Sequence, residues 1–167
     1  MNNITTEISD FETIKSIIKE REDSIVDEWA VNVQKEIKSY VRIEKEIIKE
    51  NMKRNLECII AYINDNIEPT DSLINEIAYN RANMNFKIVD ITKAVLIGRE
   101  IIHNHLFEYY KNYAYKHIRK IDNWFFYTII THAETHAYYL EKKREKNGAS
   151  RGDSYIKEYL EELKKLF

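Results

Sequence analysis

The stretch THAETHAYYL, residues 131–140, sets His132 and His136 four residues apart in a segment with helical spacing. At helical periodicity two such imidazoles share one face, where they can ligate a metal ion or flank a cofactor. The zinc-protease form of the pair needs a glutamate directly after the first histidine to serve as base, and Ala133 stands there instead. Glu134 falls on the opposite side of the helix. A third imidazole from an early helix is also missing, because no histidine precedes His103. His132 and His136 therefore read as core or pocket residues, hydrogen-bonded to backbone carbonyls or to some of the twelve tyrosines, and no metal site is expected.

A second group with chemical potential lies upstream. Ile88, Ile91, Val95, Ile102 and Leu106 form an apolar stripe, and Arg99 falls in its middle. A guanidinium in that position must be paired or must extend to water. It either pairs with a carboxylate of a facing helix or, with His103 one turn on, lines a pocket for an anionic signal molecule. Arg81 reads as more exposed, with a surface salt bridge as its default. A Gly-rich phosphate loop, a GxSxG elbow, a Cys–His pair and an isolated carboxylate pair are all absent, so no catalytic residue and no enzyme activity is expected.

The elements that must position these residues are helices. Three glycines and one proline in 167 residues leave little turn chemistry for a sheet, and 44% hydrophobic with 32% charged residues describes a chain with a real core. Acidic and basic residues are interspersed at a net charge of −2, which excludes a basic nucleic-acid face. The N-terminus lacks a signal-peptide pattern, and the most apolar window, WFFYTII at 124–130, is too short to span a membrane, so a cytoplasmic protein without a membrane partner is expected. The single cysteine, Cys58, lies in an apolar helical run and reads as a buried, inert thiol.

Ser9 and Glu12 make a capping box that predicts a first helix from about residue 10. Further helices are predicted near 24–40, 42–64, 71–83, 87–113 and 116–146. Residues 1–147 are thus expected to form one domain, with 148–152 as a hinge and an amphipathic helix from Asp153 to the end as an output linker. The last two long helices each carry a second strip beside the core stripe. Ala94, Gly98, Ile101 and His105 form one; Trp124, Tyr127, Thr131, Thr135 and Tyr138 form the other. A glycine inside a helix costs about 1 kcal/mol relative to alanine, so Gly98 signals a close approach by another element. These strips predict a homodimer, disrupted by a bulky residue at position 98.

The segments DSIVDEWAVNV, MKRNLECIIAYI, YNRANMNFKIVDITKAVLIGREIIHNHL and DNWFFYTIITHAETHAYYLEKKRE resemble the N-terminal sensory domain of the RsbT co-antagonists, the RsbR-type proteins of the stressosome. The same domain type precedes some bacterial kinases. The similarity covers about residues 20–145 and centres on Arg81, Phe86, Ile88, Asp90, Ile91 and Arg99. It implies a globin-like all-α fold that typically binds no haem and dimerises through its last two long helices in a four-helix bundle. It also implies a downstream STAS or kinase-type signalling partner. The chain departs from the family pattern by ending at Phe167, without room for a STAS domain. The expected function is a signal-sensing regulatory module of a bacterial stress or sporulation pathway. The alternative is a haem- or metal-binding sensor using His103, His132 or His136, since the helix near 71–83 offers Tyr79 but no histidine as a globin-type ligand.

Overall fold

The structure, a computed structural model, describes residues 3–110 and 116–147, and within them the side chains of 11–107 and 118–147. Regular structure among these residues is all helical: α1 (Asn3–Glu20), α2 (Glu22–Glu36), a short 3-10 turn (Lys38–Tyr40), α3 (Lys45–Ile63), α4 (Glu68–Asn83), α5 (Ile88–Tyr110) and α6 (Lys116–Lys146). None of these helices is long and apolar enough to cross a membrane. The expected hinge at 148–152 and the helix after it lie outside the described residues.

Helix α1 starts earlier than its capping box suggests. Ile4, Ile8 and Phe11 carry the apolar spacing backwards, so Ser9 and Glu12 fall inside the helix instead of at its start. Pro69 sits in the first turn of α4, where its missing N–H costs nothing. With glycine almost absent, α3 and α4 close on left-handed Asp65 (φ 62°) and Asn85 (φ 57°), the residue types that tolerate that conformation next best. Both ends are Schellman turns. Asp65 and Asn66 donate to the carbonyls of Tyr62 and Ala61, while Asn85 and Phe86 donate to those of Ala82 and Arg81.

Each of these turns then holds a lysine from α6. Lys120 Nζ lies 2.7 Å from the Ile63 carbonyl and 2.8 Å from Asp65 Oδ1. Lys143 Nζ lies 3.1 Å from the Asn83 carbonyl and 2.7 Å from Asn85 Oδ1. An ammonium at the carbonyl end of a helix is favoured by the helix dipole, so α6 is fastened to the ends of α3 and α4.

Inside, α6 packs on α4 and α5, and α2 packs on α3 and α5. The largest fully buried side chains are Trp29 on α2 and Trp124 on α6. Both indoles keep their hydrogen bonds: Trp29 Nε1 donates to the Ala94 carbonyl at 2.7 Å, and Trp124 Nε1 to Thr70 Oγ1 at 3.0 Å. Cys58 is buried as expected, and burial pushes its thiol pKa up.

This packing corrects the composition of the expected dimer strips. Ala94, Ile101 and Trp124 are 4%, 3% and 1% exposed and face their own core. The close approach that Gly98 signals is real, but the approaching group is Trp29 of the same protomer. A Cβ on Gly98 would overlap the indole, lying 2.6 Å from its Cη2. His105 Nε2 is engaged 3.0 Å from Glu28 on α2, and Tyr127 donates to the Asp71 carboxylate. Of the residues assigned to the interface by sequence, Tyr138 alone is largely exposed.

Because the Trp29 ring is rigid and enclosed, Gly98→Ala is expected to destabilise the protein by about 1–3 kcal/mol through overpacking, despite the better helix propensity of alanine. Urea unfolding measures this directly, and an unchanged midpoint would mean that the indole does not lie on this helix.

Candidate functional site

In α4, Leu73, Ile74, Ile77 and Ala78 define a buried row, and Arg81 continues it at spacings of three and four. Arg81 is 5% exposed, which corrects its reading as a surface residue. Its guanidinium lies 5.2 Å from the ring centroid of Tyr40 and 5.0 Å from that of Phe86, with Nη1 3.7 Å from Met84 Sδ. The two rings meet edge to face at 5.1 Å. The Schellman turn brings Phe86 there, since its N–H bonds back to the carbonyl of Arg81 itself. Among the described residues no carboxylate pairs with this arginine, and its buried Nε has no hydrogen-bond partner.

Across from it on α6, His132 is also 5% exposed, and its Nδ1, like the Arg81 Nε, is a buried polar atom without a partner among the described residues. Arg81, His132, Tyr40, Trp29, Asn51 and Asn55 contribute to the wall of a cavity of about 30 Å³. That is room for one or two water molecules or a small ion. Burial pushes the His132 pKa down to about 3, with His136 and Arg81 adding to the effect, so the imidazole is neutral near pH 7. Burial also pushes the Tyr40 phenol up, against the opposing pull of Arg81. The cavity therefore carries the arginine's full positive charge among neutral hydrogen-bonding groups.

His136 has a different role. It is fully buried, with Nε2 2.9 Å from the Phe86 carbonyl and Nδ1 3.3 Å from the Ala78 carbonyl. A neutral imidazole has one N–H, so one carbonyl receives it and the other faces a lone pair. Burial lowers the His136 pKa while both carbonyls act in the opposite direction. The ring anchors α6 to the turn that carries Arg81 and Phe86, and both of its nitrogens are committed to backbone oxygens.

Arg99 and His103, projecting from α5, converge on Asp122 of α6. Arg99 Nε and His103 Nε2 lie 2.7 Å and 2.8 Å from the same oxygen, Oδ1. Burial would push the Asp122 carboxyl up, but the Arg99 and His103 hydrogen bonds outweigh it and hold the pKa low. Of the two alternatives for Arg99, the structure thus adopts the carboxylate pair, and neither residue lines the Arg81 cavity. Among the described residues no cluster of three His, Cys, Asp or Glu side chains is arranged to hold a metal ion. Sequence reasoning placed Arg81 at the surface and missed Tyr40, Asn51 and Asn55. The row 74, 77, 78, 81 was the available signal for the arginine; the other three come from distant turns and helices.

Residues 12–139, more than half of the chain, match the family described as the histidine kinase N terminal. No curated protein and no solved structure matches the chain.

A histidine held neutral in the fold has a definite pH signature. In the unfolded chain His132 titrates near 6.5, whereas in the fold it stays neutral down to about 3. Its contribution is fully present above about pH 6.5 and is lost as pH falls towards 3, with a limiting slope of about 1.4 kcal/mol per pH unit. Urea unfolding between pH 7 and pH 4 should show a shallower decline for His132→Asn than for the wild type. Equal slopes would mean that the folded state protonates His132 freely.

Proposed function

The chain belongs to the histidine kinase N-terminal family, a family of sensory-type domains, and from that premise we propose that it is a signal-sensing regulatory module acting by protein contact, with the Arg81 cavity as its receiving site. The observation that carries this reading is the buried guanidinium without a carboxylate, beside an imidazole nitrogen without a partner. Enclosing an ion in a protein interior costs several kcal/mol unless a counter-charge is supplied. A fold in which no described carboxylate neutralises such a cation leaves the place of the counter-ion to a ligand. The ligand class is a small anion, since the field repels cations and about 30 Å³ admits only a few heavy atoms.

The same geometry argues against the alternatives. His103 is engaged with Asp122, His136 with two carbonyls, and His132 opens on space far smaller than a porphyrin. An enzyme reading lacks a nucleophile in the cavity, and His132, its pKa held near 3, is too weak a base to activate one.

The finer features of the reading rest on the RsbR-type resemblance: a globin-like fold, a stress or sporulation pathway, and a STAS or kinase-type partner. A homodimer through the last two long helices is retained, with a different surface. Phe126, Ile130 and Tyr138 stand four or eight residues apart on α6 and are 53%, 58% and 55% exposed, and Phe107 on α5 is 55% exposed. Such a row supports self-association because a two-fold axis lets one apolar patch cover its own copy.

Titration calorimetry with sodium chloride and sodium formate should show binding that Arg81→Met weakens at least tenfold, about 1.4 kcal/mol or more. Absence of binding by either anion to the wild type would remove the cavity as the receiving site. Sedimentation at micromolar concentration should give a dimer that Ile130→Lys shifts towards monomer. A monomeric wild type would end the dimer reading.

A further inference from the structure

Trp29 touches both the cavity and the backbone of α5. Its indole forms part of the cavity wall with Arg81 and His132. The same ring lies on Gly98 so closely that no Cβ fits between them, and its N–H holds the Ala94 carbonyl at 2.7 Å. In an α-helix that carbonyl is also the acceptor for the N–H of Gly98. The indole thus shares an oxygen with the helix ladder, at the one turn of α5 that contains a glycine. Helices bend where a side chain competes for a ladder carbonyl and where glycine removes the stiffening side chain. Trp29 is 1% exposed and its ring rests directly on Gly98, so a push on the ring from the cavity bears on the backbone of α5.

We propose that Trp29 transmits the occupancy of the cavity to α5. An anion seated beside Arg81 presses on the indole, and the turn from Ala94 to Gly98 follows the ring or loses its bond to it. The effect reaches α6 within one residue, because Arg99, next to Gly98, holds Asp122 of α6 at 2.7 Å. This inference rests on the reading of the cavity as an anion site, but the relay itself can be tested apart from it.

Binding is measured by calorimetry and backbone motion by hydrogen exchange of peptides covering residues 94–98, with chloride and with an inert reference salt. In the wild type, chloride should change exchange in this turn by about threefold or more. In Trp29→Phe, which keeps a ring but removes the N–H and part of the contact, chloride should still bind while the exchange change disappears. Persistence of the change in Trp29→Phe would overturn the relay. Should chloride fail to bind the wild type, the receiving-site reading fails and the relay is judged without ligand. Arg81→Met should then alter exchange at 94–98 in the wild-type background and not in Trp29→Phe, and equal effects in both would overturn it. If Trp29→Phe does not fold, the benzothiophene analogue of tryptophan placed at position 29 removes the donor at constant shape, with the same two outcomes.

Discussion

The guanidinium of Arg81 sits against the edge-to-face pair of Tyr40 and Phe86, 5.2 and 5.0 Å from their centroids, and its charge must be accommodated there with aromatic rings and a thioether in place of a carboxylate. Ring faces attract a cation, the more so where water is excluded, yet they compensate only part of its lost hydration. The surrounding groups answer to that shortfall. Phe86 is delivered by a helix-ending turn whose hydrogen bond runs to the arginine's own carbonyl, so the stacking ring and the charge are set by one piece of backbone. His136 then fixes this turn to α6 through the Phe86 carbonyl. The charge also governs protonation, since Arg81 adds to the burial that keeps His132 neutral.

Two cationic centres with opposite solutions coexist in the same bundle. Arg99, its side chain 37% exposed, is neutralised by Asp122, which His103 also contacts. Arg81 lies deeper and has no such partner among the described residues. An exposed or half-exposed pair of this kind adds little to stability and mainly fixes register between helices. The centre without a described carboxylate is the costlier one, and under the proposed function a bound anion supplies the missing counter-charge.

The helices were legible in the sequence because their apolar rows recur at three and four residues with almost no glycine or proline to interrupt them, and the six described helices follow those rows. Partners were less legible. Gly98 announced a close contact, but a missing side chain does not say what fills the gap, and Trp29 lies three helices and more than sixty residues away on α2. A strip that looks outward on one helix is inward when a third helix covers it. Arg81 was misplaced for another reason: arginine is rarely fully buried, and that general preference outweighed its position in the row of Leu73, Ile74, Ile77 and Ala78. His132 and His136 were correctly expected to be enclosed, but that one carries an orphan nitrogen and the other two carbonyl contacts depends on turns far away in the chain.

The two lysines that close α3 and α4 also define the mechanics of α6. Lys120 and Lys143 are near opposite ends of a 31-residue helix, about 35 Å apart at 1.5 Å rise per residue, and each is clamped to a turn of a different helix. A beam pinned at both ends cannot swing like a door. It can roll about its own axis or bow between its supports, and either motion is largest midway, where Phe126 and Ile130 stand outward and Trp124 and Phe125 stand inward. With both ends held in this way, the outer row midway is the part of the helix whose orientation is least constrained by these two contacts.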